Sequence, residues 1–254
     1  MSAELLDLAR AAAHAAGALL LERFGDPASG IVAKSSRTDL VSDSDRDAEA
    51  LVVGMIREAR PGDGILAEEG GGGAGGSGLT WLVDPLDGTI NYLWGVPQWS
   101  VSIAARDAEG LLVGVVHDPN RGETFSAARG AGARLGETPI EVRRGAPLAE
   151  ALVATGFSYR AQERARQADR LLRVLPAVRD VRRFGSAALD LAWVAAGRVD
   201  GYFETGLNPW DRAAGELLVR EAGGEVRELP GAGLVAAEPG LIGALAALVD
   251  DAAA

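Results

Sequence analysis

The chain contains no cysteine, which excludes disulfides, thiolate zinc sites and cysteine nucleophiles together. Histidine is almost absent as well, with two residues in 254, and His14 lies in an apolar helical run where it reads as a surface or packing residue. Positive charge is in deficit: 25 Lys and Arg against 36 Asp and Glu leave a formal charge of −11. No basic surface for nucleic acid or for anionic lipid is therefore indicated. The apolar run 11–21 is too short to span a bilayer as a helix. Glu4 and Asp7 precede it, only Arg10 is basic and no small-residue cleavage site follows, so it reads as a core helix rather than a signal peptide. The glycine tract 70–78 lacks the Lys-Ser/Thr ending of a nucleotide-binding loop and reads as a flexible connection. These absences suit a cytoplasmic protein that does not enter membranes.

What is present is a soluble globular composition, 48% hydrophobic and 24% charged, in a chain long enough for one large domain or two small ones. Helical spacing of Leu5, Leu8, Ala12, Ala15 and Leu19 predicts a helix over 2–24, ended by Gly25-Asp26-Pro27. A second helix is expected over about 43–60, capped by Ser42 or Asp43 and closed by Pro61-Gly62. Its acids Asp43, Asp45 and Asp47 are explained in the first place by capping and dipole compensation. Ile65-Leu66-Ala67, residues 81–84, 99–105, 111–117 and 123–127 read as strands joined by hairpin-like turns, a mostly antiparallel sheet with the two helices covering one face. From about residue 150 strands and helices alternate: strand 151–154, helix 161–175, strand 178–183, helix 185–196, strand 199–204 and helix 210–222, stopped by Gly223-Gly224. The expected organisation is an N-terminal α+β unit (1–145) and a C-terminal mixed α/β unit (146–254), packed as one rigid body.

The chemistry concentrates in Trp81-Leu82-Val83-Asp84-Pro85-Leu86-Asp87-Gly88-Thr89-Ile90-Asn91-Tyr92. An apolar strand delivers two carboxylates three residues apart across a proline, followed at once by Gly and Thr. Hard anionic oxygens beside exposed backbone N–H groups suit a divalent cation and a phosphate together; a simple Asp-Pro turn is the plainer explanation. An acidic protein that handles an anion needs metal ions to change the local sign of the field. Glu68, ending the preceding strand, can meet Asp84. Asp211, in the first turn of the helix that begins Asn208-Pro209-Trp210, can face both. With the Leu86 carbonyl these make an all-oxygen set for magnesium-sized ions.

Four segments, Asp39-Leu40-Val41-Ser42-x-x-Asp45, Ala67-Glu68-Glu69, Trp81-x-x-Asp84-Pro85-x-Asp87-Gly88-Thr89-x-Asn91-Tyr92 and Trp210-Asp211-x-Ala213-Ala214-Gly215, resemble the signature segments of the inositol monophosphatase family, in order and spacing, over nearly the whole chain. The resemblance implies an α/β layered αβαβα sandwich of the sugar-phosphatase type, Mg²⁺-dependent phosphomonoester hydrolysis with two to three ions per site, lithium sensitivity and a homodimer. It implies one ion held by Glu68, Asp84 and the Leu86 carbonyl, a second held by Asp84, Asp87 and Asp211, and a third, weaker one held mainly by Glu68 through water. It further implies phosphate contacts from the backbone N–H groups of Gly88 and Thr89, a Thr89–Asp45 hydrogen bond that helps activate the attacking water, and Lys34 and Glu69 in a mobile loop and the surroundings of the metals. Gly185, Ser186, Ala187 and Glu204 match the segments that contact the polyol, beside Asp87 and Asp211.

Asn91-Tyr92 followed by Pro97-Gln98-Trp99-Ser100-Val101-Ser102 is similar to the inositol phosphatase branch. Asn208 departs from it, near the expected polyol site, and leaves inositol phosphate and other sugar or polyol phosphates open. The alternatives are histidinol phosphate, fructose 1,6-bisphosphate and 3′-phosphoadenosine 5′-phosphate. From a different class comes a non-enzymatic role, binding the transcription or ribosome machinery, as some bacterial relatives do.

Overall fold

Two helices, one sheet, two more helices, a second sheet and a last pair of helices follow one another through the molecule. The structure is a computed structural model that describes residues 2–26, 29–33 and 40–250. Lys34 and Asp39 lie outside the described residues. Helix α1 (Ser2–Arg23) turns Leu5, Ala9, Ala12, Ala13, Ala16 and Leu20 to the interior, and its many alanines let it lie close to its neighbours. A short antiparallel pair, β1 (Val32–Ala33) and β2 (Leu40–Val41), leads into α2 (Asp43–Ala59). Ser42 caps α2 and forms a reciprocal capping box with Asp45.

Strands β3 (Gly64–Ala67) and β4 (Thr80–Asp87) are followed by the short α3 (Thr89–Leu93), and then by β5 (Ser100–Asp107), β6 (Gly110–Asp118), β7 (Glu123–Ala128), β8 (Ala133–Leu135) and β9 (Thr138–Ile140). Among the described residues these strands make a seven-stranded sheet in sequence order. Only its first pair, β3 with β4, is parallel. The C-terminal part comprises β10 (Leu152–Thr155), α4 (Ala161–Val174), β11 (Asp180–Arg182), α5 (Ala187–Ala195), β12 (Gly201–Glu204), α6 (Pro209–Glu221), β13 (Glu225–Leu229), β14 (Gly233–Ala237) and α7 (Ile242–Val249). Its sheet has the order β11-β10-β12-β14-β13. Strand β10 pairs in parallel with β11 and β12, whereas β14 pairs antiparallel with β12 and β13.

Alternation along the strands explains the layering, since successive side chains point to opposite faces. Trp81, Val83, Val101, Ile103 and Val113 pack with α1 and α2. Leu82, Ala104 and Val116 from the same strands, with Phe125 of β7, pack with α5 and α6. Tyr202, Leu234 and Ala236 close that middle layer from the second sheet, while their neighbours Phe203, Val235 and Ala237 face α7 and Val174 of α4. The result is the expected αβαβα sandwich, with a mostly antiparallel first sheet and a mixed second one. The central strands β4, β5 and β14 are buried along nearly their whole length, which is why they read as nearly continuous apolar runs.

Two expectations are corrected, and a region without one is filled. The glycine tract is tied down rather than loose. Gly73 exchanges two 2.9 Å backbone hydrogen bonds with Ile65, and Glu49 accepts from the N–H groups of Glu69 and Gly71, each at 2.6 Å. Glycine is needed at Gly75, whose side chain would run into the backbone of Asp63 and Gly64. Second, β4 does not end at Pro85. It continues to Asp87 through an irregularity in its pairing with β5 between Asp84 and Asp87, where a proline without an N–H is tolerated. Third, the 225–249 region, unassigned from sequence, supplies β13, β14 and α7.

Candidate active site

The C-terminal end of β4 opens into a cleft of about 940 Å³ lined by residues of both halves, among them Glu68, Asp84, Asp87, Thr89, Glu204 and Asp211. Local chemistry sets the direction of each. Asp84 Oδ1 accepts from the N–H of Leu86 at 3.1 Å, folding the chain over Pro85. Gly88 then adopts φ +100°, and a Cβ there would lie 3.1 Å from the Gln98 carbonyl oxygen and 3.2 Å from that of Gly185. The left-handed conformation and the close approach both call for glycine. Gly88 in turn N-caps α3, which aims the first backbone N–H groups of that turn toward the cleft.

Asp87 is anchored to the other half of the molecule. Its Oδ2 accepts from Ser186 Oγ at 2.5 Å and from Ala188 N at 2.8 Å, and its Oδ1 from Ala187 N at 3.3 Å. The carboxylate therefore sits on the N-terminus of α5, where free N–H groups and the helix dipole favour negative charge. Asn91 adds a second clamp, donating from one amide nitrogen to the carbonyls of Gln98 at 2.7 Å and Phe184 at 2.8 Å. Asp211 is the third residue of α6, and its Oδ2 accepts from the N–H of Asn208 at 2.7 Å in a capping box with Pro209 between them.

Thr89 Oγ1 lies 3.0 Å from Asp45 Oδ1 and 3.1 Å from the Leu86 carbonyl oxygen. The expected Thr89–Asp45 hydrogen bond is thus present. Asp45 is fully buried, and its other oxygen takes the N–H of Ser42 at 2.9 Å and the Ser42 hydroxyl at 2.5 Å. Gly88, Gly185, Ala187 and Glu204 line the cleft, whereas Glu69, Asp45 and Ser186 are not among the residues that line it. For Ser186 this departs from a polyol contact: it is 1% exposed, its hydroxyl is turned to Asp87, and it also caps α5.

Electrostatics mark the same place. Burial, and then the charges of Glu68, Asp87 and Asp211, push the Asp84 carboxyl well above its ordinary pKa. Burial raises Asp87 to about 6 against the hydrogen bonds from Ser186 and α5. Asp211 is also raised well above the usual range, by burial and by Glu68 and Asp87, against the hydrogen bond from Asn208. Farther along the wall, burial raises Glu204 to about 7, while its hydrogen bond from the Tyr202 hydroxyl at 2.6 Å lowers it. Asp190 lies beneath, 1% exposed, with one oxygen lacking a partner, and burial pushes it up as well.

These groups fit a hard divalent cation by their chemistry. They are all carboxylate or carbonyl oxygens, and they repel one another in a buried setting where only opposite charge relieves the repulsion. Among the described residues, no three or more His, Cys, Asp or Glu side chains are gathered into a closed metal cluster. The carboxylates instead face one another across the cleft, near enough to perturb each other's protonation.

The model of the inositol monophosphatase family matches residues 1–253. The chain belongs to that family. It is 44% identical over 236 residues, 87% of this chain and 81% of the relative, to the inositol-1-monophosphatase SuhB of Mycobacterium tuberculosis. To the Nus factor SuhB of Escherichia coli it is 40% identical over 256 residues, covering 97% of this chain and 96% of that one. The crystal structure of the extragenic suppressor protein SuhB from Bartonella henselae superimposes with a TM-score of 0.92 at 35% identity, covering 98% of this chain and 99% of that one. This member of the inositol monophosphatase family is therefore a phosphatase, a phosphoric monoester hydrolase. Among its described residues, no helix is long and apolar enough to cross a membrane.

Residues that sequence reasoning passed over are Asn91 as a clamp between the halves, Ser186 as the partner of Asp87, and the cleft-facing side of α4. Only the last left a readable signal, the helical spacing of Glu163, Arg166, Gln167 and Arg170.

Proposed function

We propose that the protein is a Mg²⁺-dependent phosphomonoesterase acting on inositol monophosphate or a related polyol or sugar phosphate. The observation that carries the reading is the convergence of Glu68, Asp84, Asp87 and Asp211 on one cleft, with the buried members pushing one another's pKa upward. Glu68, Asp84 and the Leu86 carbonyl would hold one ion, and Asp84, Asp87 and Asp211 another; a third would rest mainly on Glu68. Bound there, Mg²⁺ supplies charge neutralisation at the phosphoryl oxygens and a lowered pKa for attacking water, which a reaction this slow in solution requires.

The chain's own groups do the rest. Gly88 and Thr89 present backbone N–H groups to a phosphate. The Thr89 hydroxyl, held toward Asp45 Oδ1, is placed to accept and pass on a proton from water, with Asp45 fixed by Ser42 as the final acceptor. Ser186 and the first N–H groups of α5 keep Asp87 in position. Glu204, with Gly185 and Ala187 beside it, offers a carboxyl to polyol hydroxyls. The same reading includes inhibition by lithium, a homodimer and a cytoplasmic location.

The test is phosphate release from inositol 1-phosphate with and without Mg²⁺, beside histidinol phosphate and 3′-phosphoadenosine 5′-phosphate. Asp87→Asn is expected to retain the fold and lose Mg²⁺-dependent turnover by about 10³-fold or more, as removal of a charge-stabilising group does. Undiminished turnover in that variant would refute the assignment. A clear preference for histidinol phosphate or the nucleotide would displace the polyol reading. A second role, binding the transcription or ribosome machinery, is favoured by one observation, the 40% identity to the E. coli protein named Nus factor SuhB. Retention of a specific protein partner from lysate by both wild type and Asp87→Asn would support it.

A further inference from the structure

Helix α2 turns Asp45, Glu49, Val52 and Ile56 inward along one face, at spacings of four, three and four residues. The last two are apolar, as the inward stripe of a helix usually is. The first two are acids, 0% and 3% exposed, and carboxylates are almost never buried so completely without partners. Asp45 is accounted for by Ser42 and Thr89. Glu49, one turn further on, does not line the cleft, and the phosphatase chemistry leaves it unexplained.

Its partners belong to the turn that follows β3. Glu49 Oε2 accepts from Glu69 N and Oε1 from Gly71 N, each at 2.6 Å, and hydrogen bonds to a charged acceptor are about twice as strong as neutral ones. In the same turn Glu68 N donates to the Val83 carbonyl at 3.1 Å and Gly70 N to the Ala67 carbonyl at 3.4 Å. The consecutive N–H groups from Glu68 to Gly71 are thus all engaged, two of them by Glu49. Gly71 lies so near that a Cβ on it would be 2.7 Å from Glu49 Oε1. Two turns further along α2, Arg57 donates to the Gly71 carbonyl at 2.7 Å. Residues 70–73 are all glycine, so no side chain of their own fixes the turn. Glu68 leaves this turn to line the cleft, where its charge reaches Asp84. The direction of the Glu68 side chain therefore depends on what holds the backbone on either side of it.

We infer that Glu49 is a positioning residue for the metal site: by clamping residues 67–71 to α2 it aims the Glu68 carboxylate at the cation. One face of one helix then sets the separation between two sides of the site. Asp45 holds Thr89 beside the Leu86 carbonyl, and Glu49 holds the turn that carries Glu68. The inference rests on the Mg²⁺-dependent phosphomonoesterase reading and adds to it a residue that touches neither cation nor substrate.

The test counts Mn²⁺ bound to the full chain by the loss of the free ion's EPR signal, beside the Mg²⁺ dependence of phosphate release from inositol 1-phosphate. Glu49→Ala frees the turn and is expected to weaken Mn²⁺ binding by about tenfold or more, as loss of a group that orients a metal ligand does. The Mg²⁺ concentration for half-maximal turnover is expected to rise by the same factor, with kcat at saturating Mg²⁺ changed much less. Val52→Ala is the control for a merely structural role. It empties a buried site on the same face, lowers the urea midpoint, and is expected to bind Mn²⁺ as wild type does. Glu49→Gln keeps the side-chain length and one acceptor oxygen. It is expected to bind Mn²⁺ more weakly than wild type and more tightly than Glu49→Ala, and it carries the test alone should Glu49→Ala fail to fold. Wild-type Mn²⁺ affinity in every folded Glu49 variant, or an equal loss in Val52→Ala, overturns the inference. A wild type that binds Mn²⁺ but releases no phosphate refutes the phosphomonoesterase reading while the EPR titration still decides Glu49. A wild type that binds no Mn²⁺ overturns both.

Discussion

Thr89 has one hydroxyl proton and two acceptors in reach, Asp45 Oδ1 at 3.0 Å and the Leu86 carbonyl at 3.1 Å. It can satisfy only one at a time, so the proton's position reports which neighbour is engaged. Thr89→Val keeps the shape and removes the hydroxyl. The buried Asp45 oxygen loses its donor, which costs about 1–3 kcal/mol of stability. Loss of a proton relay lowers kcat by about 10²-fold or more, with KM nearly unchanged. Thr89→Ser should restore most of both, and steady-state kinetics with urea unfolding on the three proteins checks it. A Val variant with normal kcat would remove Thr89 from the chemistry. Asp84 and Asp87 were legible in the sequence because their type and spacing are themselves the chemical signal, whereas the pairing of Thr89 with Asp45 was available only through the resemblance to the family. Ser186 was not legible as a partner of Asp87, because its type is compatible with many partners, and only the arrival of α5 beside β4 turns its hydroxyl toward Asp87.

Elements position these residues by close approach. Strand β6 meets α6 where Gly114 faces Ala214, and a Cβ on Gly114 would lie 2.9 Å from the Ala214 Cα and 3.0 Å from its carbonyl oxygen. Both atoms are backbone, so the contact cannot be relieved by a change of rotamer. Gly114→Ala is expected to push α6 from the sheet, destabilising the fold by about 1–3 kcal/mol as overpacking does. Because α6 begins with the capping box that holds Asp211, the same variant should weaken Mg²⁺ dependence, raising the concentration needed for half-maximal turnover. Denaturant unfolding and a Mg²⁺ titration of the rate test the two parts; a variant as stable as wild type and unchanged in the titration would show that the contact is dispensable. The longer strands and helices of the first 220 residues were legible from periodicity, since apolar spacing and Gly or Pro stops coincide there; β1, β2, α3, β8 and β9 were not, because at two to five residues each is too short to show a period. The glycine tract misled because low side-chain content reads as freedom, whereas here it admits backbone pairing with Ile65. Strand β4 misled through Pro85, whose turn propensity is absorbed by the irregular pairing with β5.

At the scale of the whole molecule, buried ionisable groups pull stability in opposite directions as pH changes. Asp87 has a folded pKa of about 6, above the usual carboxylate value, so between about pH 4 and 6 the folded state holds more protons than the unfolded one, and stability falls as pH rises. Asp84 and Asp211 are shifted the same way, and Glu204, at about 7, extends the decline to neutrality. His117 opposes them. Burial, and then the neighbouring His14 with its ring centroid 4.6 Å away, lowers it to about 4, so the unfolded state holds the extra proton between about pH 4 and 6.5 and stability rises with pH in that window. Its ring is partly open to solvent, which limits its share to about 1 kcal/mol. In EDTA the carboxyl groups outnumber it, and the urea midpoint is expected to fall from pH 5 to pH 8. Mg²⁺ binds the deprotonated carboxylates, so its stabilisation must grow with pH as proton competition is lost. The midpoint gained on adding MgCl₂ should be small at pH 5 and clearly larger at pH 8, and Asp87→Asn should reduce the pH 8 gain. Equal gains at the two pH values would mean that the cation does not compete with protons for Asp84, Asp87 and Asp211, and that the upward shifts of these three groups serve something other than metal binding.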